Sequence, residues 1–172
     1  IAYIEGDELK VEKAVGKLEN LRQVVEEEAE SFIGIGHTRW ATHGEPSKVN
    51  AHPHLSMNGR IAVIHNGIIE NYKKLKDFLI SEHGISFESE TDTEVIAHMI
   101  DLYYRDGRDL LHAAKRVVDQ LEGAYALGVI SKEEPDKIVA VRKDSPLIIG
   151  AGEKENFLAS DVPALIKYTR DV

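Results

Sequence analysis

The sequence predicts an α+β fold of packed layers, and three observations predict it. Short apolar stretches of strand length, bounded by turn residues, fill both ends of the chain. Helical apolar spacing is concentrated in the middle, between positions 72 and 121. The strands are spaced as hairpins, without the regularly interleaved helices that a doubly wound parallel sheet requires.

The opening reads as two strands around a Glu5-Gly6-Asp7 turn, the second carrying Leu9 and Val11 at period two. Leu18, Leu21, Val24 and Val25 then share one helical face, and Glu26, Glu27, Glu28 and Glu30 give that helix a solvated acidic tail. Positions 32–36 return to a strand pattern. The irregular segment 37–54 that follows is of a length that compact domains keep for function or leave disordered. Asn58-Gly59, set between Leu55-Ser56-Met57 and the apolar run 61–64, predicts an antiparallel hairpin with a type I′ turn. His65-Asn66-Gly67 ends its second strand. Tyr72, Leu75, Phe78 and Leu79 mark a helix stopped by His83-Gly84, and 85–87 has strand composition at less than strand length. Thr91 at an N-cap with Glu94 three residues on forms a capping box, opening a helix that turns Val95, Ile96, Met99 and Tyr103 inward. Asp106-Gly107 breaks it. Another helix carries Leu110, Leu111, Ala114, Val117, Val118 and Leu121 and stops at Gly123. Strands follow at 124–130, 138–142, 147–149 and 156–159, separated by Pro135-Asp136, Asp144-Ser145-Pro146 and 150–154. Asp161-Val162-Pro163 opens a short helix.

Composition removes several function classes. At 172 residues and 42% hydrophobic positions the chain fits one compact domain. Acidic side chains outnumber basic ones 30 to 21, a formal charge of −9, and the basic residues form only pairs such as Lys73-Lys74 and Lys115-Arg116. Such a surface repels nucleic acid and anionic membranes. Cysteine is absent, which excludes disulfides, thiolate metal sites, iron–sulfur clusters and a cysteine nucleophile within these residues. No apolar run approaches the roughly 18 residues of a membrane span, and the opening lacks a signal peptide's basic and apolar regions. The expected location is the cytoplasm. The chain opens without Met and reads as one entered partway.

The densest polar constellation is His37-Thr38-Arg39-Trp40-Ala41-Thr42-His43-Gly44, at the end of a predicted strand. An Arg fork matches a carboxylate bidentately, Trp gives a flat wall, and Thr hydroxyls donate or accept. In the alternative, Arg39 forms an ion pair and Trp40 caps the core. His37, His43, His52, His54 and His65 lie within one short stretch, and His52-Pro53-His54 sets two rings on one side of an extended strand. A zinc or iron site is the rival to hydrogen-bonded structural histidines, but no Cys, no His-Glu-x-x-His and no carboxylate ligand spacing accompanies it. His65-Asn66-Gly67 lies between a strand and a helix, where a backbone N–H and an amide can converge as in an oxyanion hole, or simply turn. Asp92, at a helix N-terminus, is a cap or a partner for a ligand ammonium.

These residues carry a resemblance. GIGHTRWATHGEPSKVNAHPH, HNGIIENY, SETDTEVIAH, GAYAL, SPLIIG and ENFLASD together resemble the class II glutamine amidotransferases, over nearly the whole chain. Trp40 and the NAHPH stretch place it nearer the glutaminase domains of the glutamine:fructose-6-phosphate amidotransferase type than amidophosphoribosyltransferase or asparagine synthetase. The resemblance implies the four-layer αββα sandwich of the N-terminal-nucleophile hydrolases and no cofactor or metal. It implies that Arg39 binds the α-carboxylate of glutamine and Asp92 its α-ammonium. Asn66 and the Gly67 N–H would form the oxyanion hole, Thr42 and His43 would line the pocket, and Trp40 would lie on a closing loop. His52 and His54 carry over only a loop-ordering role. Fructose 6-phosphate would be met only by a sugar-isomerase portion, and the parent enzyme would be a homo-oligomer.

The departure is the nucleophile. In that family it is an N-terminal cysteine, and this chain begins with Ile1. The 172 residues are therefore expected to be a single, partial amidotransferase domain, incomplete at both ends, without the isomerase domains and inactive alone. The alternatives are a non-catalytic glutamine-binding module or another class II amidotransferase.

Overall fold

The computed structural model describes residues 1–25, 29–40, 43–107 and 109–172, with the backbone alone at 105–107. The glutamates at 26–28 and Thr42 lie outside the described residues. The opening hairpin forms as expected: β1 (Ala2–Glu5) turns through Gly6 into β2 (Glu8–Val11), with Ala2 opposite Val11 and Glu5 opposite Glu8. The helix after it contracts to α1 (Leu18–Arg22), with no buried residue and Leu18 58% exposed. A stripe of apolar residues that covers nothing leaves so short a helix with little to sustain it. β3 (Gly34–Ile35) keeps two of the five positions expected to be extended, pairs with β1 in a sheet of order β2-β1-β3, and leaves Phe32 fully exposed.

A second antiparallel sheet, of order β4-β5-β6-β7, is the spine of the molecule. β4 (His54–Leu55) and β5 (Ile61–Ile69) form the expected hairpin with Leu55 opposite Ala62. Its turn is not type I′. Gly59 alone has positive φ, at 67°, and its N–H closes onto the Ser56 carbonyl at 2.8 Å while Ser56 and Ile61 pair across the loop. Asn58 instead points its side chain at the helix that carries Asp101, donating to Asp101 Oδ1 at 3.0 Å, where Arg60 Nε also binds at 2.5 Å. β5 does not end at Gly67 but runs on to Ile69.

α2 (Tyr72–His83) ends at Gly84 in a left-handed cap, as the sequence predicts. Residues 85–87 join no described strand. The capping box does not form: α3 (Thr93–Gly107) starts after Asp92, and the Glu94 carboxylate reaches back to the Glu88 and Ser89 amides at 2.9 and 2.7 Å. Burial alone would raise the Glu94 pKa, but His98, the Ser89 hydroxyl and these two amides hold it down to about 2. α4 (Leu110–Val118) opens on an Asp109 cap and stops before Leu121, and Gly123 begins β6 (Gly123–Ser131) instead of ending a helix. β7 (Glu134–Lys143) takes in Pro135 and Asp136, expected to form a connection. Proline is tolerated there because β7 is an edge strand, whose outer side needs no amide donor. β8 (Ile148–Ala151) and β9 (Asn156–Ala159) form a separate hairpin, followed by a 3₁₀ turn at Val162–Ala164.

Period-two alternation assigns the spine's two faces. Ile61, Val63 and Ile69 of β5, with Leu127 and Val129 of β6, pack under α2–α4 against Leu79, Ile96, Met99 and Ile100. Ala62 and Ile130 on the opposite face meet Ala2, Ile4 and Ile35 of the first sheet. Each fully buried large side chain of this kind contributes roughly 1.5–3 kcal/mol. The layers thus run helix, sheet, sheet, in keeping with the α+β expectation. Outside α2–α4 the described helices are only α1 and the 3₁₀ turn.

Candidate active site

β5 carries the centre of the site, because its alternation sends neighbouring side chains to opposite faces. His65 points under the helices, with Nδ1 2.9 Å from Thr93 Oγ1. Asn66 points the other way, with its Oδ1 2.7 Å from His37 Nε2. No described group accepts a hydrogen bond from Asn66 Nδ2. Next to it, Gly67 has φ 122°, and a Cβ there would lie 2.0 Å from the Ala124 carbonyl oxygen. Only glycine fits both the angle and the approach.

Two cavities meet at His37 and Thr38. One, of about 360 Å³, is also lined by Gly36, Asn66, Leu127 and Leu158. The other, of about 240 Å³, adds Arg39, His52, Lys13 and Leu21.

The remaining expected residues divide. Arg39 turns its guanidinium onto its own loop: Nη1 donates to the Glu45 carbonyl at 3.1 Å, and Nη2 to the carbonyls of His43 and of Gly44, the latter at 2.9 Å. Among the described residues Arg39 forms no ion pair, and Trp40, 86% exposed, does not cap the core. The His43 ring sits edge-on to Tyr72 with centroids 5.3 Å apart, and its buried Nδ1 has no partner. Asp92 is 3% exposed, with Oδ2 accepting the Ile69 N–H at 2.8 Å and Oδ1 3.9 Å from His65 Nδ1. It faces neither of these cavities.

Sequence reasoning missed the His37–Asn66 bond and the partners of the histidines. His52 Nδ1 accepts the His65 backbone N–H at 3.3 Å, and His54 Nε2 meets Thr91 Oγ1 at 3.0 Å. The His52 ring stacks on His37 at 4.5 Å. Burial lowers the pKa of all four, opposed at His37 by Asn66 and reinforced at His52 by His37; His54 falls to about 3, and His65 to about 4 despite Asp92. Among the described residues no three His, Asp or Glu groups are arranged to hold a metal. The crowding of histidines between 37 and 65 was the available signal for this network. Its threonine partners lie too far along the chain to be read from it.

Residues 37–167 match a protein family described as glutamine amidotransferase domain. The chain is 57% identical to the glutamine–fructose-6-phosphate aminotransferase [isomerizing] of Caldanaerobacter subterraneus subsp. tengcongensis and 56% to that of Clostridium perfringens. Each alignment covers all of this chain and 28% of the relative, so the chain spans little more than a quarter of the length of these proteins. Among solved structures it is similar to the Bacillus subtilis glutamine phosphoribosylpyrophosphate amidotransferase complexed with ADP and GMP, with a TM-score of 0.80 and 28% identity. That match covers 98% of this chain and 37% of the other. A structure described as the allosteric regulatory enzyme of purine biosynthesis matches with a TM-score of 0.76, also at 28% identity.

Proposed function

Because the chain belongs to the glutamine amidotransferase domain family and shares its α+β sandwich of the N-terminal-nucleophile type, we propose that it provides the glutamine-hydrolysing site of a larger aminotransferase. The observation that carries this reading is the Asn66 side chain. It is held at a cavity by His37, has no described acceptor for its Nδ2, and lies beside a glycine whose backbone takes a conformation closed to other residues.

A thiolate from outside these 172 residues, which contain no cysteine, attacks the amide carbon of glutamine. The carbonyl oxygen takes up negative charge, stabilised by Asn66 Nδ2 and the Gly67 N–H. The C–N bond breaks as the leaving nitrogen takes the proton that the thiol gave up, so ammonia departs and a thioester remains; water then attacks the thioester carbon, releasing glutamate and restoring the thiol. Arg39 binds the α-carboxylate through the two N–H donors not directed at the 43–45 carbonyls. Asp92 takes the α-ammonium on Oδ1, since Oδ2 is engaged by Ile69. Binding at Asp92 requires a path to open to a buried carboxylate; Thr42 and His43 line the glutamine pocket, and the loop that carries Trp40 closes over the seated substrate. The twofold higher identity to the fructose-6-phosphate enzymes than to the phosphoribosylpyrophosphate enzyme supports fructose 6-phosphate as the acceptor, converted to glucosamine 6-phosphate by the rest of a cytoplasmic, homo-oligomeric protein.

The test is glutamate release by the natural full-length protein and its Asn66→Ala variant. Removing one oxyanion donor should lower kcat by roughly 10²–10³-fold, and the 172 residues alone should release none. Unchanged kcat in Asn66→Ala, or glutaminase activity in the isolated 172-residue chain, refutes the assignment.

A further inference from the structure

We propose that His37 is a positioning residue for the oxyanion donor, acting through the Asn66 carboxamide. This inference rests on the glutaminase reading and adds to it a residue that does not itself touch the reacting atoms. A carboxamide has nearly the same shape after a half-turn about its last bond, so packing alone does not decide whether the oxygen or the nitrogen faces the cavity. At Asn66 the choice matters: the nitrogen stabilises an oxyanion and the oxygen repels it. His37 Nε2, 2.7 Å from Oδ1, makes the choice if it carries a proton, because an N–H can face only the oxygen.

Three features of the surroundings keep that proton in place. Burial, with the nearby Arg39, outweighs the Asn66 contact and the His65 backbone and disfavours the doubly protonated ring, so one nitrogen carries a proton and the other does not. Nδ1 is buried without a hydrogen-bond partner, so a proton there would make no bond, whereas a proton on Nε2 reaches Asn66 Oδ1. The stack on His52 at 4.5 Å and 22° fixes the ring plane, and His52 is itself fixed by the His65 amide. The His65 backbone, one residue before Asn66, therefore orients the ring stack that orients the Asn66 side chain. β5 supplies both the donor and the anchor of its orientation.

The experiment has two parts. In the 172-residue chain, long-range ¹H–¹⁵N correlation should show His37 as the Nε2–H tautomer. An Nδ1–H tautomer overturns the inference without any variant being made. In the natural full-length protein, His37→Phe should lower kcat for glutamate release by roughly 10–100-fold with KM for glutamine changed by less than about twofold, as for loss of an outer partner of a catalytic group. His37→Gln, which places an amide donor near the same point, should restore most of the loss. In Asn66→Ala, adding His37→Phe should cost nothing further, because the group being oriented is gone. An unchanged kcat, a rise confined to KM, failure of Gln to restore, or losses that multiply overturns the role. If the unmodified protein releases no glutamate, the glutaminase reading fails, while the tautomer measurement still decides the geometry.

Discussion

Lowering the pH from 7 to 5 should destabilise this domain through its buried imidazoles. In the unfolded chain each histidine titrates near 6.5, whereas burial holds His65 to about 4 and His54 to about 3, and His52 lower still. Between these values the unfolded state binds a proton that the folded state refuses, so the stability these rings confer is present above pH 6.5 and is lost as pH falls through their folded values, about 4 for His65 and about 3 for His54. Linkage at pH 5 gives about 2 kcal/mol for each ring, and hence about 6 kcal/mol for the three. That compares with a total of about 5–15 kcal/mol for a domain of this size. The carboxylate of Glu94, held at about 2, acts in the same direction only below about 4.5 and leaves the interval from 7 to 5 to the histidines. Urea unfolding followed by far-ultraviolet circular dichroism at pH 7, 6 and 5 measures the loss. His54→Gln, which removes one titrating ring, should reduce the difference between pH 7 and 5 by about 2 kcal/mol. A stability that changes by less than about 1 kcal/mol over that interval would refute the claim that these rings are held neutral.

Two substitutions test the spine directly. Gly67→Ala places a methyl group 2.0 Å from the Ala124 oxygen at a φ that alanine avoids, and should cost at least ~3 kcal/mol in thermal or denaturant unfolding; a loss under ~1 kcal/mol would mean that the strand relaxes there. Asp101→Ala deprives Arg60 and Asn58 of their shared acceptor, with Arg60 only 15% exposed, and should cost about 3 kcal/mol. Adding Arg60→Met should recover part of that loss, and no recovery would show that the carboxylate matters for some other partner.

Much of the architecture was legible because it follows from local periodicity. The opening hairpin, the 55–61 hairpin, the C-terminal stop of α2 and the alternation of the second sheet all depend on residues a few positions apart. The misreadings came where a distant partner outbid a local one. Glu94 had the spacing for a capping box but took the Glu88 and Ser89 amides, and Asn58 turned toward Asp101 on α3. α1 had an apolar stripe and no surface to bury it against. The site shows the same division. Asn66 and Gly67 stand out in the sequence as an Asn-Gly after an apolar run, although they lie inside β5 and not at its end, whereas Asp92's engagement by Ile69 and Asn66's by His37 join residues 23 and 29 positions apart.

Gly67 also bears on how faithfully the spine assembles. β5 and β6 pair over nine consecutive residues, from Ile61 opposite Ser131 to Ile69 opposite Gly123, and apolar side chains on both faces of this ladder do not by themselves distinguish registers two residues apart. A shift of one residue would exchange the faces of His65 and Asn66. A shift of two would keep the faces but bring a residue with a side chain to the point beside Ala124 where there is room only for hydrogen. The glycine therefore serves as an alignment mark during folding: of all the pairings the two strands could sample, it admits the one that leaves the amide of Asn66 facing the cavity.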